Sequence, residues 1–471
     1  MSQINARIAS SLYETPSFYE TIKTHEAKHK RSYWNFDDST LHKITNDRLI
    51  QLTNVSRRIQ GKLVVPLDNA EFIEEFQATV PLMSRDEYNH YMDPTTGSWP
   101  VAYNPYTWVD VLSGGTSTGV PTVTRIHMND AYGASGMGVL NYSHIFNTCR
   151  IRRYWDTLMP SRVYLQYGYW HNREIDFYGS KVLDAQGLQS VFNSFQPEAI
   201  NGSTYAVCKQ LSYAKELTGI TDMEEKFNQL SIYMTGGEFI TQAQKDHIKE
   251  HYPNAVHLSR YASSQAYYNM AFGLPQLEQK WHLVMDNVVF LEVVDSEGRP
   301  VADGGLGEVV ITPLNLIMRP ILRFRLGDLA YMKRDHATGR KYIKLMGRAD
   351  SIIIINSQKI PCTDLLDVMY EKLKTIAHIS TNGVGQIRRK KDGSFVFIVE
   401  TTGDISHISS ADYAELISSV TQRLKAIALS LNLPQERTVD GFTFLVELVR
   451  SGTIGRHGIR EKIRLFIDEN A

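Results

Sequence analysis

Val111-Leu112-Ser113-Gly114-Gly115-Thr116-Ser117-Thr118-Gly119-Val120-Pro121-Thr122-Val123-Thr124 is the stretch whose reading decides the fold. Gly114, Gly115 and Gly119 let the backbone turn sharply and come close to a ligand, because no Cβ stands in the way. Ser113, Thr116, Ser117 and Thr118 set hydroxyls beside the exposed backbone N–H groups. Such a loop wraps around phosphate oxygens through the main chain rather than through a fixed charge. Its flanks, Val111-Leu112 and Val123-Thr124, are apolar or β-branched and predict a hairpin or a strand–loop–strand. The absence of Gly-Lys-Ser/Thr excludes the nucleotide loop that opens a helix. Taken alone, the stretch fits a phosphate cradle and a surface loop equally well.

Upstream, Ile4, Ile8, Leu12 and Tyr13 recur at helical spacing, so residues 1–35 read as a helix that ends near Pro16 and then a turn. Ser84 followed by Glu87 is a capping box. Downstream, a helix is expected from about Asp130 to Asp156, then an apolar strand from Arg162 to Tyr167 that runs into a turn at Gly168. Further short strands, Leu230–Thr235 and Val256–Tyr261, alternate with helical segments, the pattern of an α/β domain. Strands and turns take over from Asn287 to Leu329, including Val288–Val294 and Gly307–Thr312.

A boundary is expected near Gly347-Arg348-Ala349-Asp350. Beyond it lies a unit of about 120 residues, an ordinary domain size. It reads strand (Ile352–Ile355), helix (Thr363–Ile376), strands (Val384–Arg388 and Phe395–Glu400), helix (Ala411–Leu429) and strand (Phe442–Leu448). No low-complexity linker joins the parts, which suits a hinge better than a tether.

The chain of 471 residues is too long for one core, and its 42% hydrophobic and 21% charged content is that of a globular protein. A net charge of −1 gives no reason to expect nucleic acid or an anionic membrane as a partner. The opening Met1–Arg7 lacks the apolar core of a secretory signal, and no run approaches a membrane span, so a cytoplasmic location is expected. Cys149, Cys208 and Cys362 are scattered, form neither a disulfide framework nor a zinc site, and read as small core residues.

At this point the chain resembles the adenylate-forming superfamily, and within it the phenylacetate–CoA ligase-like branch. The resemblance runs through Tyr13–Tyr19, Val80–Glu87, the Ser113–Val123 loop, Tyr167-Gly168-Tyr169, Pro197–Ser203, Thr235–Glu238, Tyr261–Gln265, Arg323–Leu329 and Gly347–Asp350, in that order. It implies an α/β fold class: a large N-terminal adenylate-forming domain with mixed sheets (residues 1–347) and a small mobile α+β C-terminal domain (residues 348–471). It further implies ATP-dependent activation of a small carboxylic acid as an acyl-adenylate, with transfer to an acceptor. CoA is the first choice of acceptor; an amine, a carrier-protein thiol or a protein side chain is the alternative. A homodimer is compatible with this reading.

The resemblance also distributes roles. Ser113, Gly114, Gly115, Thr116, Ser117, Thr118 and Gly119 would hold the leaving phosphates, and Gly236, Gly237 and Glu238 would border the adenine. Tyr261 would cover the adenine face, with Ser263 and Ser264 following it; Asp328 would accept from the ribose hydroxyls and Arg348 would donate to ribose or phosphate. Mg²⁺ would meet Glu238 and Gln265, and Asp350 would be the hinge. Tyr167, Tyr169, Trp170 and Phe177 cluster where the acyl group is expected and suit an aromatic acid, or simply a core. Lys462, with Arg460 as its rival, would supply the cation that draws two anions together.

Departures from the family pattern are specific. Thr116 replaces a loop glycine and Val120 an often charged residue; Gln265 stands where a glutamate usually faces the metal, and a neutral amide is a weaker ligand for a hard cation. Lys462 follows Glu461 rather than a glycine. These departures keep open a second class of function, a nucleotide-binding scaffold with weakened catalysis.

Overall fold

In the computed structural model the described residues are 18–56, 72–96, 107–112, 122–157, 174–179, 183–204, 206–208, 210–211, 228–238, 240, 242–275, 277, 281–349, 352–355, 358–376, 381–401, 405–430, 444–450, 453–455 and 466–469. They divide between two units, one drawing on the ranges 1–113, 122–237 and 254–346, the other on 114–121, 238–253 and 347–471.

The first unit opens with α1 (Phe18–His29), α2 (Asp38–Val55), α3 (Phe72–Thr79) and α4 (Arg85–Met92). Asp37 caps α2 by accepting from the Thr40 amide at 2.8 Å. Ser84 and Glu87 close the expected capping box on α4: the Ser84 hydroxyl accepts the Glu87 amide while the Ser84 amide donates to Glu87 Oε2 at 2.7 Å. The antiparallel pair β1 (Trp108–Leu112) and β2 (Val123–His127) follows, with Leu112 opposite Val123, so the flanks of the glycine-rich loop form the expected strand–loop–strand. Residues 113–121 of the loop lie outside the described residues.

Next come α5 (Met128–Thr148), β3 (Arg153–Asp156), β4 (Asp176–Gly179), α6 (Ala185–Ser190), β5 (Ala199–Ser203), β6 (Ile232–Gly236), β7 (Val256–Ala262), β8 (Asn269–Gly273), β9 (Trp281–Val284), β10 (Val289–Val294), β11 (Leu306–Pro313), β12 (Phe324–Arg334) and β13 (Lys341–Arg348). Eleven strands form one sheet in the order β10-β11-β12-β13-β9-β8-β7-β6-β5-β3-β4. Neighbours from β4 to β7 run parallel, and β8 turns the sheet antiparallel. Strands covered on both faces read as near-continuous apolar runs, as in β10, where every residue is buried and Glu292 alone is charged.

Three sequence readings are corrected. The helix expected to reach Asp156 stops at Thr148, and Arg153–Asp156 is a strand of the sheet with Tyr154 and Trp155 fully buried. The stop is a Schellman-type closure: Ile151 N–H returns to the Phe146 carbonyl at 2.8 Å, and Arg150 takes the left-handed position at φ +56°. Because that position holds arginine rather than the usual glycine, the helix end was invisible in the sequence. The second correction is α1, which occupies residues read as a turn; the helix end expected near Pro16 lies outside the described residues. Third, of the cysteines only Cys362 is buried, while Cys149 is exposed and Cys208 half-buried.

The second unit holds α7 (Gln242–His251), the hairpin β14 (Ile352–Ile355) and β15 (Gln358–Pro361), α8 (Cys362–Ile376), β16 (Thr381–Arg389), β17 (Phe395–Thr401), α9 (Ser410–Ser430), β18 (Phe444–Arg450) and β19 (Phe466–Asp468). Its sheet runs β18-β17-β16-β19. β17 and β18 are parallel, which requires a crossover, and α9 provides it. Leu365, Leu366, Met369 and Leu373 of α8 pack with Ile387, Phe397 and Val399 in its core. Among the described residues no helix is long and apolar enough to cross a membrane.

Two contacts tie the motif-bearing segments of the first unit together. Met83 bridges to Phe324 at the start of β12, its amide donating to the Arg323 carbonyl at 2.8 Å and its carbonyl accepting from Arg325 at 3.1 Å. Beneath it the Arg323 guanidinium meets Glu292 of β10 (Nη2–Oε1 3.0 Å, Nε–Oε2 3.2 Å), the Val80 carbonyl (2.8 Å), the Gly298 carbonyl (2.9 Å) and the Gln77 carbonyl. The other contact latches α4 to β2. Tyr88 and Thr124 share a hydroxyl–hydroxyl bond of 2.6 Å, Arg85 donates to Thr122 at 2.9 Å, and Arg125 donates to the Met92 carbonyl at 2.6 Å. Both hydroxyls of the first pair are buried, and each satisfies the other across the latch.

This latch predicts a non-additive pair. Tyr88→Phe and Thr124→Val should each cost about 1–2 kcal/mol in urea unfolding by leaving one buried hydroxyl unpaired, whereas the double variant should cost less than the sum. Strict additivity would show that the two hydroxyls do not depend on one another.

A second prediction concerns pH. Asp130, in the first turn of α5, is buried and accepts the Met318 amide at 2.8 Å. Burial pushes its carboxyl up to about 7, against the smaller pull of its backbone hydrogen bonds and of Arg48. The folded chain therefore keeps a proton that the unfolded chain releases near pH 4, so this group's contribution to stability is full below about pH 4 and is lost as pH rises toward about 7. Asp130→Asn should match the wild type at low pH and exceed it in urea unfolding above neutrality. Wild-type and variant curves that stay parallel with pH would contradict this.

Candidate functional site

The parallel strands β3, β5, β6 and β7 end at Asp156, Ser203, Gly236 and Ala262 along one edge of the sheet. In open α/β sheets that carboxyl edge forms the ligand crevice, because the loops leaving it diverge. Polar groups are buried just behind the edge. Asp156 accepts from the Tyr154 hydroxyl at 2.8 Å and from Asn201 Nδ2 at 2.9 Å, and Asn201 Nδ2 also donates to the Tyr154 oxygen at 2.7 Å. Burial raises the Tyr154 hydroxyl well above the usual phenol range, so it stays a donor.

At the end of β7 the Tyr261 hydroxyl donates to Asp328 Oδ2 at 2.6 Å. The two residues are separated by 67 positions in the chain, and the sequence had assigned them to one ligand. Asp328 sits on β12 directly after Gly327, whose φ of +76° is open to glycine and strained for other residues. One carboxylate oxygen is thus aimed and held by a phenol, which fixes the direction in which the group accepts further donors.

Gly236 ends β6, buried in register with Arg260 of β7, and Gly237 follows it, exposed at φ +84°. Ser263 turns inward: its hydroxyl accepts the Ala266 amide at 3.1 Å and so shapes the turn after β7. Ser264 is buried in the same turn, its carbonyl accepting from Tyr267 at 3.1 Å, and Gln265 is buried beside it. Glu238, half-buried, and Arg348, the last residue of β13 after Gly347 at φ +108°, count with the second unit.

Other expected site residues lie outside the described residues: Ser113, Gly114, Gly115, Thr116, Ser117, Thr118, Gly119, Tyr167, Tyr169, Trp170, Asp350, Arg460 and Lys462. Phe177 is a β4 residue in register with Tyr154, and its side chain lies outside the described set. Among the described residues no group of three or more His, Cys, Asp and Glu converges to hold a metal. Sequence reasoning missed Asn201, Arg260 and Asn269, which support the edge from behind, and Arg85 and Tyr88, which latch α4 to β2. Arg85, inside the quoted Val80–Glu87 segment, and Asn201, inside Pro197–Ser203, carried a signal that could have found them.

No family model matches the chain. A phenylacetate–coenzyme A ligase of Thermus thermophilus is 30% identical over 92 residues, a match that takes in 18% of this chain and spans only 21% of that ligase's own length. Among solved structures, 2-hydroxyisobutyryl-CoA ligase in the postadenylation state, in complex with R3-HIB-AMP, superposes with a TM-score of 0.66 at 18% identity, over 91% of this chain and 89% of the other. The same ligase in an open conformation with 2-HIB-AMP and CoA gives 0.56 at 18% identity, over 91% of each chain. The chain has the fold of 2-hydroxyisobutyryl-CoA ligase, and a stretch of 92 residues is similar to a phenylacetate–coenzyme A ligase.

Proposed function

We propose that the chain is an AMP-forming carboxylate ligase that activates a small acid with ATP and passes the acyl group to CoA. The observation that carries this reading is the Tyr261–Asp328 contact at the carboxyl edge of the sheet. It is supported by solved relatives of the same fold, one holding an acyl-AMP and one an acyl-AMP with CoA. In the first step a carboxylate oxygen attacks the α-phosphorus of ATP, the bond to the bridging oxygen breaks, and pyrophosphate leaves. In the second the acceptor sulfur attacks the acyl carbon and AMP leaves with the electron pair. Positioning and charge neutralisation dominate both steps, as in phosphoryl transfer generally.

In this reading Asp328 accepts from the ribose hydroxyls with its geometry fixed by Tyr261, while Gly236, Gly237 and Glu238 border the adenine. The 113–119 loop takes the leaving phosphates, and Ser263 and Ser264 shape the turn between them. Mg²⁺ would arrive with the nucleotide, and Glu238 and the Gln265 amide oxygen are the protein donors that would face it, a carboxylate being the stronger ligand for a hard cation. Arg348 donates to ribose or phosphate, Asp350 is the hinge, and Tyr167, Tyr169, Trp170 and Phe177 line the pocket of an aromatic acid. A carrier thiol or an amine is the alternative acceptor. The buried neutral Gln265 favours a second reading, a scaffold that binds nucleotide without fast chemistry.

ATP–pyrophosphate exchange driven by a panel of aryl and aliphatic acids tests the proposal. Exchange is expected with at least one acid and strongest with aryl acids. Lys462→Ala should lower it by about 10²-fold or more through loss of a charge-stabilising donor, with Arg460→Ala having the smaller effect. ATP binding without exchange for any acid would overturn the ligase in favour of the scaffold.

A further inference from the structure

Between Tyr261 and Ala262 the pairing of β7 with β8 slips by one residue: Tyr261 faces Ala271, but Ala262 faces Asn269, leaving Met270 as the extra residue. Side chains alternate faces along a strand, so this bulge moves Asn269 from the face of Tyr261 to the face of Ala262 and Arg260. There the Arg260 guanidinium meets it, Nη1 donating to Asn269 Oδ1 at 3.1 Å, while Asn269 Nδ2 donates in turn to the Tyr142 hydroxyl of α5. Nη2 of the same guanidinium donates to the Gly202 carbonyl on β5. To reach β5 it passes β6 at Gly236, its register partner; a Cβ there would lie 2.9 Å from the Arg260 carbonyl oxygen and 3.3 Å from Nη2. One side chain therefore spans β5 to β8 beneath the carboxyl edge.

Arg260 is 6% exposed and Asn269 3%. Among the described residues the guanidinium forms no ion pair, and its Nε has no hydrogen-bond partner. Burying a full positive charge against neutral acceptors is unfavourable compared with an apolar side chain of the same size. Packing alone does not explain its presence, but its position does. Tyr261, the next residue, points to the opposite face, and its hydroxyl must reach Asp328 on a distant strand. The bulge that Arg260 clamps sits on β8 directly against that residue, where the pairing with β7 changes register.

We infer that Arg260 is a positioning residue of the nucleotide site: it holds the β7–β8 bulge through Asn269 and thereby aims Tyr261 at Asp328, the carboxylate that selects for the ribose hydroxyls. The inference rests on the proposed function and adds to it a residue that touches no ligand. It also gives Gly236 a second duty, as the gap through which the guanidinium crosses.

The test is nucleotide selectivity in the full chain, read by calorimetry as the ratio of dissociation constants for 2′-deoxy-ATP and 3′-deoxy-ATP against ATP. A residue that merely stabilises the fold would weaken the three ligands together and leave the ratio unchanged. Arg260→Met keeps the stem and removes both donors; it should lower the preference for ATP about fivefold or more, the scale of a misaligned hydrogen bond to a charged group. Arg260→Lys, a point charge that cannot bridge Gly202 and Asn269 together, should lower it as well. If Arg260→Met does not fold, Asn269→Ala removes one end of the clamp and should show the same loss. Asp328→Ala is the control. If it keeps the wild-type preference, the ribose assignment is wrong and this inference falls with it. If Asp328→Ala loses the preference while folded Arg260 or Asn269 variants retain it, the ribose assignment stands and the positioning role is overturned.

Discussion

The buried pair of Arg323 and Glu292 is the constraint on which the candidate site depends. Both side chains are almost completely excluded from water. Two opposite charges removed from solvent are at best neutral against apolar residues of similar volume, so the pair is weak evidence for extra stability. What it does supply is connection. The guanidinium uses its remaining donor capacity on the main-chain carbonyls of Gln77 and Val80, at the end of α3, and of Gly298, two segments far apart in the chain. Arg323 holds a left-handed backbone at φ +49°, a conformation that persists only where surrounding bonds over-determine it. With that residue fixed, Met83 docks on the start of β12, and Asp328 follows four residues after Phe324 at a set height on the strand.

Three of the quoted motifs, Val80–Glu87, Tyr261–Gln265 and Arg323–Leu329, take part in this arrangement, and that explains why segments so far apart in the chain belong together. Val80–Glu87 carries the carbonyl that accepts from Arg323, the residue that bridges to β12 and the cap of the helix that latches β2. Arg323–Leu329 carries the guanidinium and the carboxylate. Tyr261 closes the circuit by reaching Asp328 from β7. The residues nearest the expected chemistry thus rest on two kinds of support, a buried charge pair on one side and a clamped bulge on the other.

Much of this was legible in the sequence where local rules decide. The capping box at Ser84, the strands flanking the glycine-rich loop, the β6 and β7 strands and six of the elements after residue 350 all follow from patterns within a few residues, while β15 and β19 were not read. Legibility failed where tertiary partners decide. Nothing local marks Arg150 as a left-handed helix stop, so a strand was read as helix. Glu292 looks like an ordinary charge within an apolar strand until Arg323 stands beside it 31 residues later. Arg260 carried no role in the sequence beyond membership of the Val256–Tyr261 strand, because its partners on β5 and β8 are set by sheet order and by a bulge that no composition announces. Tyr261 and Asp328 were assigned to one site through resemblance; the hydroxyl–carboxylate bond between them was not foreseen.

The central claim is that the Arg323–Glu292 pair places Asp328, and Glu292→Gln tests it most directly. The amide keeps the size of the carboxylate and removes its charge, leaving the guanidinium buried without its anion. The account predicts faster hydrogen exchange at the Met83 and Arg325 amides, whose bonds join the docked segment to β12, and ATP binding weakened by about tenfold or more in the same folded variant. Faster exchange at those amides with unchanged ATP affinity would contradict it, because the docking would then be separable from the site it is said to hold.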